Sequence, residues 1–192
     1  MRPRAYAAAA VGLGLLVLSW LPLPYVADVY STIVARSGNA AVSLIDWGWR
    51  VGVTFEAPET VQPWGTWKPT LVLVDRTLGR SQTQLWDERT LSWLPVATFV
   101  ALAGASTVFA RWAWRRTALL WALGLAAMAA LTSGMIALGL AALFAQAGAL
   151  DDTEGLAIRT AHNILAEPAM MYLMPTAVWF ALWQALRRPV AP

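Results

Sequence analysis

The sequence predicts a mainly α-helical integral membrane protein with four transmembrane helices and a small exterior α+β module between the first two. Two observations predict this fold class. Four stretches carry no charged side chain, and each is long enough to cross a bilayer as a helix, which takes about 20 apolar residues. All eleven acidic residues lie between these stretches, whereas seven of the fourteen basic residues lie in three short patches without any acid.

The four charge-free stretches are the predicted crossings. The first lies within residues 1–27, and the others are expected over 90–110, 117–148 and 168–186. The third is too long for an upright helix, but no charged or turn-rich connector divides it. We therefore predict one long, tilted helix there, bent near Gly134 or Gly139.

The acid-free basic patches predict the orientation, because arginine beside a crossing is retained on the cytoplasmic side. Both termini are then cytoplasmic, and residues 28–89 and 151–167 are exterior. Alanine-rich composition and thirteen arginines against the single Lys68 are typical of a GC-rich bacterial genome, so the bacterial inner membrane is the expected location. The orienting residues are Arg2, Arg4, Arg111, Arg115, Arg116, Arg187 and Arg188.

Composition excludes several classes of function. The remaining basic residues are interspersed with acids, so no basic face is left for nucleic acid, and the expected partners are the lipid bilayer and other integral membrane proteins. The chain has no cysteine and one histidine, His162, which excludes thiolate sites and multi-histidine metal sites. No charged group lies at mid-membrane depth, which argues against an ion pump. No catalytic or metal-binding residue is predicted.

Residues 28–89 form the predicted exterior module. Val29–Ile45 has helical spacing, whereas Arg50–Glu56 and Thr70–Arg76 have the patterns of strands, so a sheet of two or three strands is expected. Five tryptophans crowd this segment: Trp47, Trp49, Trp64, Trp67 and Trp86. They indicate core packing, a partner-docking surface or a platform for stacking carbohydrate.

A second exterior segment, 151–166, is predicted as an amphipathic helix on the outer membrane interface. It carries His162, for which three roles stay open. It is a polar interfacial side chain, an axial ligand to a tetrapyrrole held by a partner, or a general base with Glu167. Five residues separate His162 from Glu167, so a helix does not place them on one face. No cofactor is predicted for the chain itself.

Small side chains on the third predicted helix would let another helix approach closely. They include Gly124, Ala127, Ser133, Gly134 and Ala137. The approaching helix belongs either to the same bundle or to a second protein, and Gly134 is the predicted docking position for the latter.

Three short patches carry a family resemblance. They are Leu21–Tyr25 (Leu-Pro-Leu-Pro-Tyr), Arg89–Pro95, and Pro175 with Val178, Trp179, Trp183 and Gln184. In these patches and in its layout the chain resembles exosortase-associated small inner-membrane accessory proteins. That resemblance implies an anchor, a short β-rich outer segment and three further crossings. It also implies an accessory role beside a membrane transpeptidase that sorts surface proteins, and it supplies no catalytic residue.

These observations predict a non-catalytic accessory or scaffold subunit of a larger inner-membrane complex. It would dock partners through the tryptophan-rich exterior module and the small-residue face of the third helix. Two alternatives are a supernumerary subunit of a photosynthetic or respiratory complex that contacts pigment or haem, and a membrane hydrolase using His162 and Glu167.

Overall fold

The computed structural model describes the backbone of residues 2–21, 29, 32–33, 36, 39–40, 51–56, 70–75, 80–85, 93–110, 112–146 and 152–187. Most of these residues are helical. The helices are α1 (Arg2–Trp20), α2 (Leu94–Ala110), α3 (Trp114–Gln146), α4 (Asp152–Leu165) and α5 (Pro168–Arg187). The strands are β1 (Val51–Glu56), β2 (Thr70–Asp75) and β3 (Arg80–Leu85).

Proline residues explain two of the helix boundaries. Pro95 is the second residue of α2 and Pro168 is the first residue of α5. Proline suits the first turn of a helix, where its missing N–H would have no partner within the helix. Pro175 lies inside α5, which nevertheless continues to Arg187. Helix α3 runs over 33 residues, Trp114–Gln146, as one helical segment.

The three strands form one antiparallel sheet in the order β1-β2-β3. In the β1–β2 pair Val51 lies opposite Asp75, and Glu56 lies opposite Thr70. In the β2–β3 pair Asp75 lies opposite Arg80, so the four residues 76–79 connect these two strands. Strand β3 was not located from the sequence, since Arg-Ser-Gln-Thr-Gln-Leu lacks the alternating apolar pattern of a half-buried strand.

The prediction of four transmembrane helices is wrong, because among the described residues only two helices are long and apolar enough to cross a membrane by length and composition. They are Trp114–Gly139 within α3 and Pro168–Arg187. Helices α1 and α2 give shorter apolar segments, Pro3–Ser19 and Leu94–Ala110. The 17 residues of α2 rise by about 26 Å, against a hydrocarbon core of about 30 Å.

The reason for this error is that a charge-free stretch can extend beyond the end of its helix. The first stretch reaches Ala27, but α1 ends at Trp20, ahead of Pro22 and Pro24 in the sequence. A proline within a helix removes a hydrogen bond, and it also restricts the residue before it. The absence of charge therefore overestimated the helical length.

The prediction of an α+β module over residues 28–89 is also not supported. The described part of this segment contains the three-stranded sheet, and no helix is bounded among its described residues. The protein is mainly helical, as predicted, and the correction concerns the number of spans and the mixed character of this segment.

The chain divides into two compact units. The first is called the arginine unit here and comprises Met1–Leu21, Trp93–Leu131 and Pro168–Pro192; the second, the acidic unit, comprises Pro22–Ser92 and Thr132–Glu167. In the sequence, the first set of segments holds seven arginines and no acid, a formal charge of +7. The second holds all eleven acids with seven basic residues, a charge of −4, and together they give the chain's +3.

The core of the arginine unit lies where α2, α3 and α5 meet. Its fully buried centre consists of Phe99, Ala103, Leu120 and Met128. Helix α1 packs along α2, and α2 packs along α5. The α1–α2 contact is close because small residues face each other across it, Gly12 on α1 and Ala105 on α2.

Candidate functional site

One end of the arginine unit carries a recess of about 500 Å³. It is lined by the start of α1, by the ends of α2 and α5, and by Trp112, which follows α2. The lining residues are Pro3, Arg4, Phe109, Ala110, Trp112, Trp183 and Arg187. Two arginines that are distant in sequence, Arg4 and Arg187, therefore meet at one concave surface, and both have exposed side chains.

A ladder of indole rings forms one wall of this recess. Trp112 and Trp183 are stacked with their ring centroids 4.4 Å apart and their planes at 30°. Trp179 continues the ladder, with its centroid 5.9 Å from that of Trp183. Stacked rings bury large apolar area at little cost in side-chain entropy, so they hold the ends of α2 and α5 in a fixed geometry.

Two deeper tryptophans donate hydrogen bonds to hydroxyl groups of α2. The indole Nε1 of Trp179 donates to Ser106 Oγ at 2.7 Å, and that of Trp121 donates to Thr107 Oγ1 at 3.3 Å. Ser106 and Thr107 were not singled out from the sequence. Trp179 lies well inside its predicted crossing, and a buried indole N–H needs a hydrogen-bond acceptor. The sequence signal for such an acceptor was a hydroxyl-bearing residue on a neighbouring helix.

The charge at the recess end comes from side chains and not from helix dipoles. Helices α1 and α3 begin at this end of the unit, whereas α2 and α5 end there, so partial charges of both signs are present and oppose each other. Arg115 lies 5.7 Å from the ring centroid of its neighbour Trp114, in a cation–π arrangement. Of the seven orienting arginines, Arg2, Arg111 and Arg188 have side chains outside the described part of the chain.

Within the acidic unit, α4 packs on the last turn of α3. A Cβ atom added to Gly155 would lie 3.4 Å from the Cβ of Ala145, so glycine permits the close approach. Arg159, one turn further along α4, donates from Nη1 to the Ala145 carbonyl at 3.4 Å. The last carbonyls of a helix have no partner within the helix, and a cation there is favourable. This role of Arg159 was not predicted.

His162 lies on the same face of α4, seven residues after Gly155. Its side chain is half-buried, and its Nε2 atom is buried without a hydrogen-bond partner among the described residues. Glu167 has an exposed side chain beyond the end of α4, and no described hydrogen bond or ion pair joins it to His162. The hydrolase alternative therefore gains no support from geometry.

The small residues of α3 divide into two kinds. A Cβ atom on Gly124 would overlap the ring of Phe99, so this glycine serves packing inside the arginine unit. A Cβ atom on Gly134 would meet nothing within 4 Å, and Gly134 is exposed. Of these two glycines, Gly134 is the one that leaves room for a helix of another protein.

The five tryptophans predicted to dock a partner lie outside the described residues. They are Trp47, Trp49, Trp64, Trp67 and Trp86. The sites that the structure does describe are thus the recess with Arg4 and Arg187, the open face at Gly134, and the face of α4 with His162. Comparisons of the chain with protein-family models, with curated proteins and with solved structures gave no match.

Proposed function

We propose that the chain is a non-catalytic accessory or scaffold subunit of a larger complex in a bacterial inner membrane. The observation that supports this most directly is the coincidence of the charge division with the division into units. The acid-free segments, which are far apart in sequence, fold together as the arginine unit. Arginines grouped at the ends of apolar helices are what insertion of a membrane protein selects, because arginine beside a crossing stays on the cytoplasmic side.

The helix surfaces support a membrane environment. Helices α3 and α5 are long and apolar enough to cross a membrane by length and composition. Large apolar side chains also point away from the core, including Leu123 on α3 and Leu173 and Phe180 on α5, the last two more than half exposed. Soluble proteins rarely expose contiguous apolar surface of this kind, whereas lipid or a partner helix covers it favourably.

The arginines support an orientation for the two candidate spans. Helix α3 begins beside Arg115 and Arg116, and α5 ends at Arg187, so both of these ends are proposed to be cytoplasmic. Helix α4 then joins the spans on the periplasmic side. Leu156 and Ile164, exposed apolar residues of α4, would rest on the outer interface there. Both termini are proposed to be cytoplasmic, since Arg4 shares its recess with Arg187.

Partner docking is proposed at the open face of α3 around Gly134 and at the tryptophan-rich segment 28–89. The proposal of a docking face at Gly134 is supported by the exposure of this glycine and by the lack of any described atom within 4 Å of a Cβ placed there. An enzyme that processes envelope proteins is the proposed partner, in line with the resemblance to exosortase-associated proteins.

Replacing Gly134 by leucine is expected to remove the partner without harming the chain's own fold. A Cβ atom at this exposed position meets no described atom within 4 Å, whereas a leucine there would hold a second helix away. The measurement is purification from the native membrane in mild detergent, followed by mass spectrometry of the proteins that co-purify. Ala129→Leu is the matched control, because residue 129 is also exposed on α3 but lies about 140° around the helix.

Equal partner recovery with Gly134→Leu and with the control would count against docking at this face. Recovery of a lone wild-type monomer would overturn the scaffold function. An absorption band of pigment or haem in the same preparation, lost in His162→Ala, would instead favour the respiratory or photosynthetic alternative, for which the unpartnered Nε2 atom is the supporting observation.

A further inference from the structure

We propose that the recess at the arginine end of the first unit binds the phosphate of an anionic phospholipid headgroup. Its volume of about 500 Å³ lies within the range of about 300–1,000 Å³ typical of small-ligand sites. The site is distinct from the docking face at Gly134, and it rests on the membrane placement proposed above.

The two arginines of the recess supply the recognition of an anion. Arg4 comes from the first turn of α1 and Arg187 from the last residue of α5, so the fold brings them together from opposite ends of the chain. A guanidinium group offers a planar fork of N–H donors that matches phosphate oxygens. Neither side chain is engaged by a hydrogen bond or ion pair with another described residue, so both are available to a ligand.

The arginine unit has no competing acidic side chain. The sequence segments that build this unit contain no aspartate or glutamate, so no side-chain carboxylate of the unit neutralises the recess. Arg115 and Arg116 belong to the same end of the unit, where α3 begins, and Arg188 follows Arg187 directly in the sequence. Like charges held at one concave surface repel each other, and a bound phosphate relieves that repulsion.

The walls favour a lipid over a free anion. Trp112 and Trp183 line the recess as a stacked pair, and the half-exposed Phe109 adds a further apolar surface. Indole rings favour the headgroup level of a membrane, where an apolar body and a polar edge are both satisfied. Basic pockets between membrane helices on the cytoplasmic side are a recurrent way of binding anionic headgroups.

The test uses the full chain in detergent, titrated with phosphatidylglycerol or with phosphatidylcholine and monitored by native mass spectrometry. Wild-type protein is expected to bind phosphatidylglycerol at least tenfold more tightly than phosphatidylcholine. The double variant Arg4→Gln/Arg187→Gln is expected to lose this preference, by about fivefold for each arginine removed. Arg4→Lys/Arg187→Lys, which keeps both charges, should retain most of it.

The control variant is Arg36→Gln/Arg159→Gln, which loses the same charge from the acidic unit and should keep the preference. Because the Arg4 and Arg187 side chains are exposed, their loss should leave the helix content by circular dichroism unchanged. An unchanged preference in Arg4→Gln/Arg187→Gln would overturn the site.

Competition with inorganic phosphate distinguishes binding of a lipid headgroup from binding of free phosphate. Millimolar phosphate is expected to leave phosphatidylglycerol bound, since it lacks the apolar part that contacts the indole wall. Displacement of the lipid by phosphate alone would overturn the lipid assignment. A chain found in the membrane fraction without any preference for phosphatidylglycerol would reject this site alone, whereas a chain missing from the membrane fraction would reject the proposed function.

Discussion

Replacing Gly124 by leucine is expected to lower the stability of the protein more than replacing Gly12 or Gly134 by leucine. A side chain at this position on α3 would overlap the ring of Phe99, which is fully buried at 0% exposure and meets Trp121 edge-on with ring centroids 6.5 Å apart. The ring has no space to move into without disturbing the core. Overpacking of this kind costs about 1–3 kcal/mol, and occasionally more.

The measurement for Gly124→Leu is the thermal unfolding midpoint in detergent, followed by circular dichroism. A loss of about 3 kcal/mol corresponds to a fall of roughly 6–12 °C for a chain of this size. Gly134→Leu is the control on the same helix, because residue 134 is exposed and a Cβ atom there meets no described atom within 4 Å. Adding Phe99→Ala to Gly124→Leu should recover part of the loss, since the leucine then fills the vacated space. Equal midpoints for Gly124→Leu and Gly134→Leu would contradict this description of the core.

Replacing Gly12 by leucine is expected to separate α1 from α2. A Cβ atom at residue 12 would lie 3.2 Å from the Cβ of Ala105 and 3.4 Å from the backbone oxygen of Ala101. Because one of these atoms belongs to the backbone, α1 has to move as a whole to accommodate the side chain. We expect a cost of about 1–3 kcal/mol in the free energy of unfolding.

Gly14→Leu is the matched control for Gly12→Leu, two residues along the same helix. A Cβ atom at residue 14 meets nothing within 4 Å, and both substitutions make the same change in helix propensity. The comparison of their unfolding midpoints therefore isolates the contact between α1 and α2. A larger loss at residue 14 than at residue 12 would show that α1 presents a different face to α2.

The sequence predicts the presence of apolar helices better than it predicts their lengths. The charge-free stretches mark where apolar helices lie, but α1 ends at Trp20 and α2 begins at Leu94, inside the stretches that contain them. Proline determines these helix ends, and a count of uncharged residues does not take proline into account. For α3 the absence of charges and of turn residues agreed with one helix of 33 residues.

The contacts of the candidate sites were harder to predict, because they depend on which helices meet. The pairing of Arg4 with Arg187 in one recess joins the two ends of the chain, and no local pattern reveals it. The division of small residues into a packing position, Gly124, and an open one, Gly134, depends on where Phe99 lies. Strand β3 was missed because a polar strand lacks the hydrophobic period that identifies strands.

The charge pattern of the sequence corresponds to the division of the structure into two units. This pattern depends on the order of residues along the chain, whereas the two units follow from contacts in three dimensions, yet both divide the charged residues in the same way. The two agree if the arginines orient helices in a bilayer, because helices in one bilayer pack together.

The arginine end of the first unit is proposed to face the cytoplasm, and substituted-cysteine labelling tests this orientation most directly. The chain has no cysteine, so single replacements need no modified background. Ala113, exposed beside Arg115, and Thr153, exposed in the first turn of α4, mark the two proposed sides. In intact spheroplasts a membrane-impermeant maleimide should label Thr153→Cys at once and Ala113→Cys only after lysis. Labelling of Ala113→Cys in intact spheroplasts, with Thr153→Cys protected, would contradict the orientation and the membrane placement on which it rests.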